Sequence, residues 1–251
     1  MSKIELTAAS RVGCVRTNNE DMILAYDKLI RSDVYRTEFD TKNTDRFTVA
    51  VADGMGGHNA GEVASETALL NLKFYLSDLP KSLDVESFYK AMKQWLKSIN
   101  QTIDAKGRAD TSMSYMGTTL VALVYYNGRI YTMNCGDSRL YRLRDGHLTQ
   151  LTVDHSLNNM TGQKKHSNVI TNCIGAGCKS SYIDFGDLTD DFLPGDSYLL
   201  CSDGLNDMVE DDCIEQMMLE HLTANQLCEK AIELGGYDNV SACVITIEND
   251  K

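Results

Sequence analysis

Three apolar runs of this chain end in an aspartate beside a glycine: FTVAVADG at Asp53 and Gly54, YLLCSDG at Asp203 and Gly204, and IYTMNCGDS at Asp137. Two further acidic positions stand out, Glu20 and Asp21 in VRTNNED and Asp238 in GGYDN, which directly precedes another apolar run. One Asp-Gly pair is ordinarily a turn. Several at strand ends point to a shared task. If those ends meet at one edge of a sheet pair, the carboxylates crowd a small volume, which is unfavourable unless cations neutralise them. An all-oxygen ligand set selects Mg²⁺ or Mn²⁺ rather than zinc, and a glycine lets its own carbonyl approach an ion. Two dications about 4 Å apart repel by roughly 4 kcal/mol at the dielectric of water and about 16 kcal/mol at an effective constant of about 20, so several anionic ligands are required. Such a two-metal centre lowers the pKa of a bridging water and aligns it for in-line attack on phosphorus, without a protein nucleophile.

The loop VADGMGGHNAGE, residues 51–62, is open to three readings: a turn, a phosphate cradle or a metal site. The run before it is strand-like, while Val63, Thr67, Leu70 and Phe74 recur at helical spacing, so the local order is strand, loop, helix. A glycine-rich loop entering a helix can bind phosphate through its amides, but the Walker pattern needs Gly followed by Lys, and no such pair occurs. The acidic residue is the clue to follow. Arg16 can hold two phosphate oxygens with its planar fork, a task for which lysine is poorer; the plainer alternative is a surface arginine in an ion pair. A cysteine-dependent phosphatase is excluded, because none of the eight cysteines is followed six residues later by arginine.

These residues need elements to position them. Strands are predicted near 3–9, 46–52, 117–126, 129–135, 139–144, 196–201 and 240–247, with Asp145 and Gly146 closing a hairpin. Helical periodicity covers 62–76 and 85–104, the latter carrying Phe88, Met92, Trp95, Ile99 and Ile103 on one face. A further helix begins near Thr223, where Thr223 and Gln226 match a capping box. Antiparallel sheets covered by amphipathic helices make an α+β arrangement.

With two prolines and no Gly/Ser/Pro-rich stretch, residues 1–251 read as one domain. A net charge of -12 argues against binding a phosphate backbone, so nucleic acid is not an expected partner. The N-terminal MSKIELTAAS lacks the apolar core of a signal peptide and no apolar run approaches bilayer length, which predicts a cytoplasmic protein with no membrane partner. No CxxC pair or His/Cys zinc spacing occurs, and Cys135, Cys201 and Cys243 lie in strand-like runs, so free, mostly buried thiols are expected. The Asn159 and Asn239 sequons then carry no glycan.

Taken in order, GCVRTNNED, VADGMGGHNAGEVAS, MGTTLVAL, NCGDSRLYRLRDG, LTVDHSL, LLCSDGL and GGYDNVS resemble the metal-dependent Ser/Thr protein phosphatases of the PP2C or PPM type, in their bacterial form. Each segment alone is weak; together they span nearly the whole chain and are specific. The resemblance implies two antiparallel sheets packed as a sandwich with helices on both outer faces, a four-layer αββα, and a binuclear Mn²⁺ or Mg²⁺ site in the cleft. Carried over by position, Asp53 bridges two metals, Asp203 and Asp238 complete the first, and the Gly54 carbonyl serves the second. Glu20 and Asp21 hold that second ion partly through water, Asp137 with Asp203 matches a third, weaker site, and Arg16 falls on the phosphate-binding arginine. The implied reaction is hydrolysis of phosphoserine and phosphothreonine in proteins, opposing a Ser/Thr kinase in bacterial signalling, by a monomer.

Three departures from the family pattern matter. Met55 stands where animal-type relatives carry a histidine proposed as general acid, as is usual in bacterial relatives; His58 is a candidate replacement, weighed against a hydrogen-bonded loop histidine and against protonation by metal-held water. The flap at about 157–168 is short, and Lys164, Lys165 and His166 make it basic. Lys164 and Lys165 are candidate substrate-binding residues for an acidic phosphoprotein segment, against the alternative of two solvated lysines. The segment 27–45 is longer than the usual link and, like the flap, bears on substrate choice. Competing functions with the same fold are a small-molecule phosphomonoesterase and a non-catalytic metal-binding regulatory module.

Overall fold

The apolar runs become strands of two six-stranded sheets in which every pairing is antiparallel. The computed structural model describes residues 3–56, 60–162 and 169–248. In chain order the strands are β1 (Lys3–Arg11), β2 (Met22–Ala25), β3 (Lys28–Ile30), β4 (Val34–Asp40), β5 (Arg46–Ala52) and the two-residue β6 (Gly54–Met55). Next come β7 (Gly117–Thr118), β8 (Leu120–Tyr126), β9 (Arg129–Cys135), β10 (Arg139–Arg144) and β11 (His147–Gln150). The last are β12 (Ile174–Gly175), β13 (Asp184–Asp187), β14 (Ser197–Cys201) and β15 (Val240–Ile247). The helices are α1 (Ala60–Asp78), α2 (Val85–Ala109), α3 (Leu157–Thr161), α4 (Asp203–Asn206), α5 (Asp211–Leu219) and α6 (Ala224–Glu233).

One sheet has the order β11-β10-β14-β15-β1-β4, the other β13-β9-β8-β5-β2-β3. Their facing sides interdigitate: Leu6, Ala8 and Ile245 of the first meet Val49, Val51 and Leu123 of the second. The outer side of the second sheet packs Leu24, Ala50 and Tyr131 under Leu72 of α1 and Phe88 and Trp95 of α2. Outside the first sheet, Tyr141, Leu199 and Ala242 lie under Ile214 and Met217 of α5 and Leu227 of α6. Three apolar layers between four layers of elements give the αββα sandwich that the resemblance implied.

Local chemistry explains the elements that carry this packing. In α2, Phe88, Met92, Trp95, Ile99 and Ile103 are all buried as the periodicity required, and each fully buried apolar side chain of this size contributes about 1.5–3 kcal/mol. Asp84 caps that helix, accepting from the Ser87 amide at 2.7 Å. The Thr223–Gln226 capping box opens α6 as read from the sequence. In α1 the buried face is instead Ala60, Ala64, Ala68 and Leu72, while Leu70 and Phe74 are exposed. Small residues let this helix lie close to the sheet.

Two readings change. The strand expected over 117–126 breaks at Thr119, because β7 leaves the large sheet to pair with β6 and β12 in a small ribbon. The long 27–45 segment supplies edge strands to both sheets: β3 pairs with β2, and β4 crosses over to pair with β1. Tyr35 and Phe39 point into the core while the exposed Arg36 and Glu38 alternate with them, the pattern of a protected edge.

Candidate active site

Asp53 follows the last residue of β5, and the chain turns there into β6. Thr119 sets that turn: its hydroxyl accepts from the Asp53 amide at 2.9 Å, and its own amide donates to the Asp53 carbonyl at 2.9 Å. The Thr118 hydroxyl donates to the same carbonyl at 2.8 Å. Thr119 Oγ1 also lies 2.7 Å from Ser138 Oγ, directly after Asp137. One threonine thus couples the ends of β5 and β9. Gly54 meets the start of α1 backbone to backbone: a Cβ on it would stand 2.2 Å from the Gly61 carbonyl oxygen and 2.5 Å from that of Glu20. No larger residue fits there.

Asp21 is fully buried where the chain enters β2, and Ser202 Oγ donates to its Oδ2 at 2.8 Å. Ser202 is the neighbour of Asp203. The Glu20 carbonyl accepts from Ser65 Oγ of α1 at 2.6 Å, and the Glu20 amide donates to Asn239 Oδ1 at 2.8 Å. Asn239, beside Asp238, also donates to the Val12 and Asn18 carbonyls, both at 2.9 Å. It staples the loop 12–20 to β15. Gly13 makes that approach with φ +82, and a Cβ there would be 2.2 Å from the Asp238 carbonyl oxygen.

Six acidic residues are therefore gathered at one end of the sandwich, and five of them, Glu20, Asp21, Asp53, Asp137 and Asp203, are held above the ordinary carboxylate range. Burial pushes Asp21 up to about 7 against hydrogen bonds from Ser241 and Ser202, and Asp203 and Asp238 add to the rise. Asp137 is likewise raised to about 7, by burial and then by Asp203. Asp203 rises to about 6, with burial first, a hydrogen bond from the Asp53 carboxyl opposing, and Asp207 and Asp238 adding. Asp53 lies well above the ordinary carboxylate range, through burial and then the charges of Asp21, Asp203 and Asp137. Glu20 is raised by burial, which Arg16 partly offsets.

Oδ1 of Asp21, of Asp137 and of Asp203 is each buried without a hydrogen-bond donor. A buried carboxylate oxygen with no partner is costly, and three together fit hard cations as the missing partners. Among the described residues no three His, Cys, Asp or Glu side chains close tightly enough to hold an ion alone. Backbone carbonyl and water ligands suit the remaining positions, as is habitual for Mg²⁺.

Arg16 donates from Nη2 to Asp238 Oδ2 at 2.7 Å, with about half of its side chain exposed (52%). Its pKa is raised, chiefly by that bond, with Glu20 and Asp53 adding to the field. Both readings of Arg16 are thus present at once: it is in an ion pair, and the pair belongs to the acidic cluster. His155 of LTVDHSL accepts at Nδ1 from the Gly136 amide at 3.1 Å, which leaves the proton on Nε2, 2.9 Å from Asp184 Oδ2. That imidazole links the turn of Asp137 to β13. The flap's described part is α3, and the Leu157 amide donates to the Val169 carbonyl across its base at 2.9 Å. His58, Lys164 and Lys165, with His166, lie outside the described residues. Asn19, Ser202, Asn239 and Ser241 all sit inside the quoted motifs, but nothing about a polar neighbour marks it as a clamp until the loops meet.

The family model for protein phosphatase 2C matches residues 25–233. The serine/threonine protein phosphatase PstP of Mycobacterium tuberculosis is 32% identical over 97% of this chain, which spans 45% of the length of PstP. The serine/threonine phosphatase stp of Listeria monocytogenes is 32% identical, covering 80% of this chain and 84% of its own. The crystal structure of the Mycobacterium tuberculosis phosphatase PstP/Ppp aligns with a TM-score of 0.78 at 31% identity, over 98% of this chain and 100% of that one. The PstP catalytic domain in complex with two manganese ions aligns with a TM-score of 0.76 at 30% identity, over 99% and 100% of the two chains. With a family match across most of its length and a sandwich shared with these phosphatases, the chain belongs to the protein phosphatase 2C family.

Proposed function

We propose that this chain is a metal-dependent protein phosphatase acting on phosphoserine and phosphothreonine. The observation that carries the reading is the trio of buried, unpartnered carboxylate oxygens on Asp21, Asp137 and Asp203, gathered around Asp53. In this reading Asp53 would serve both of two Mn²⁺ or Mg²⁺ ions, Asp203 and Asp238 would help to hold one, and Glu20, Asp21 and the Gly54 carbonyl would help to hold the other. Asp137 and Asp203, which line an acidic cavity of ≈ 320 Å³ with Asp154, Asp207 and Asp211, would hold a third, weaker ion. When bound, the cations neutralise these carboxylates, polarise the phosphate and acidify water for attack on phosphorus.

The chain's own groups do the rest. Arg16 binds the phosphate through donors not used on Asp238, and Asp238 fixes the direction in which the guanidinium points. Thr119 and Gly61 hold Asp53 and Gly54 in place from two sides, so little reorganisation accompanies substrate binding. Met55 has no proton to give to the leaving alkoxide. The same reading takes residues 1–251 as one phosphatase domain, a cytoplasmic monomer that opposes a Ser/Thr kinase. The names of its relatives support the phosphatase part of that reading, and no helix among the described residues is long and apolar enough to cross a membrane.

The test is phosphate release from phosphoserine, phosphothreonine and phosphotyrosine peptides, with and without Mn²⁺. Release from the first two that stops in excess chelator is the expected result. Preference for small phosphorylated metabolites at equal concentration would replace the substrate assignment, and metal binding without any release would make the chain a regulatory module.

A further inference from the structure

Outside the acidic cluster, two cysteines stand at the ends of one tight turn. Cys173 and Cys178 flank the sequence IGAG, the Cys173 thiol turns inward to donate to the Gly175 carbonyl at 3.8 Å, and each thiol shifts the titration of the other. Between them Gly175, Ala176 and Gly177 all have positive φ, at 84, 51 and 73, folding the segment back on itself. The Cys178 amide closes the turn on the Gly175 carbonyl at 2.9 Å, and Ser181 Oγ bonds the Cys173 carbonyl at 2.6 Å. No disulfide is present: all eight cysteines are free.

The two thiols are unequal in the way a dithiol needs. Cys173 is buried (8% exposed), and burial pushes its thiol up to about 12. Cys178 is half-buried; burial opposes its ionisation, but the hydrogen-bonding groups around it outweigh that, the backbone at Cys173 and Ser180 among them, and bring the thiol below its ordinary value. Cys135, Cys201, Cys228 and Cys243 are buried with thiols pushed up, as expected of inert core cysteines.

This turn is joined to the candidate active site by backbone. Ile174 and Gly175 form β12, whose partner β7 pairs on its other side with β6, the strand of Gly54. The Ala176 amide donates to the Met116 carbonyl at 2.7 Å. There is no slack in the contact: a Cβ on Gly117 would stand 2.8 Å from Ala176 Cβ and 2.9 Å from the Ile174 carbonyl oxygen. On the flap side, Asn172 bonds both His155, at 2.8 Å, and the Tyr182 carbonyl, at 2.9 Å.

We propose that Cys173 and Cys178 form a reversible peroxide-sensitive dithiol whose closure to a disulfide shifts β12 and, through β7, the strand carrying Gly54. In the first step the Cys178 thiolate attacks one oxygen of hydrogen peroxide, the O–O bond breaks, and hydroxide leaves to take up a proton as water. Cys178 becomes a sulfenic acid. The Cys173 sulfur then attacks Cys178 Sγ, its proton going to the departing hydroxide, so a second water forms with the S–S bond. Two thiols lose two electrons and peroxide gains them. The site and its chemistry stand apart from the phosphatase reading; only the turnover readout rests on it.

Reduced protein treated with hydrogen peroxide, alkylated and mapped by mass spectrometry should lose two hydrogens on the peptide bearing both cysteines, and dithiothreitol should restore them. Cys173→Ser should instead stop at a Cys178 sulfenic acid trapped by dimedone. Amide exchange over 54–55 and 117–118 should change on oxidation in the parent protein and not in Cys173→Ser, and Mn²⁺-dependent turnover of an aryl phosphate should fall and recover with the thiols. No bond, a bond to Cys135 instead, or a 173–178 bond that leaves amide exchange untouched would overturn the proposal. If the reduced protein shows no turnover at all, the phosphatase reading fails while mapping and exchange still decide this one.

Discussion

Arg31 donates from Nη1 to the carbonyl oxygen of Asn19 at 2.5 Å, and its Nη2 donates to the Glu62 carbonyl at 2.8 Å. The arginine comes from the turn between β3 and β4, in the long 27–45 segment that the sequence tied only to substrate choice. It ties the entry to Glu20 and Asp21 to the first turn of α1. Burial lowers its pKa, and the carboxylates of Glu62, Glu66, Asp21 and Glu20 around it act the other way.

Replacing Arg31 with alanine leaves the Asn19 carbonyl without this donor, at a cost of about 1–3 kcal/mol, while the Glu62 carbonyl keeps Ser65 Oγ and its place in the helix. Because the freed loop carries Glu20 and Asp21, Mn²⁺ affinity should also fall by about tenfold or more. Arg31→Lys should recover only part, since one ammonium cannot reach both carbonyls as the fork does. Denaturant unfolding and calorimetric metal titration check this, and unaltered Mn²⁺ affinity in Arg31→Ala would show that the loop holds without the arginine.

Gly54→Ala puts a methyl 2.2 Å from the Gly61 carbonyl oxygen, so α1 and β6 must part. Overpacking of this kind costs about 1–3 kcal/mol, and the displaced Gly54 carbonyl should take metal affinity down with it. A thermal midpoint and Mn²⁺ titration curve matching the parent's would contradict the close packing described above.

The raised carboxyls make a signed statement about pH. Asp21 and Asp137 titrate at about 7 and Asp203 at about 6, against an ordinary 3.8, so the folded chain holds these protons more tightly than the unfolded one. Their stability contribution is fully present below about pH 4 and is lost as pH rises through about 6 to 7. In chelator the melting temperature should fall across that window. Mn²⁺, which displaces those protons, should raise it more at about pH 8 than at about pH 5. Melting curves with chelator or Mn²⁺ at the two pH values decide it; an equal metal effect at both would mean that the carboxyls do not titrate together there.

Arg16→Lys keeps the charge but replaces a planar fork with a single ammonium, and the bond to Asp238 loses its fixed direction. If Arg16 holds substrate and transition state alike, KM should rise by about tenfold or more while kcat changes little. Steady-state kinetics on a phosphopeptide would return Arg16 to the surface if Arg16→Ala left both constants untouched.

The strands that bear Asp53, Asp137, Asp203 and Asp238 could be read from the sequence because each is a short apolar run ending in a turn residue, a pattern set within a few positions. The face of α2 was equally open to reading, since 3.6-residue periodicity is local. The break at Thr119 was not: 117–126 is one continuous β-forming run, and only the pairing of β7 with β6 and β12 cuts it. Nor was β4, where Tyr35 and Phe39 look like isolated aromatics in a polar stretch until β1 lies beside them.

Residue types and spacing by themselves determined that this chain carries an all-oxygen set of acidic residues at strand ends, with two sheets and amphipathic helices to hold it. Only the tertiary structure decided that Arg16 faces Asp238, 222 residues away, that Ser202 reaches Asp21 across 181, and that Asn239 and Arg31 clamp the same loop. The reason is physical. Propensity and periodicity act over a turn or a strand, whereas these hydrogen bonds exist only once β1 pairs with β15 in one register and the two sheets close face to face, which no short stretch of sequence encodes.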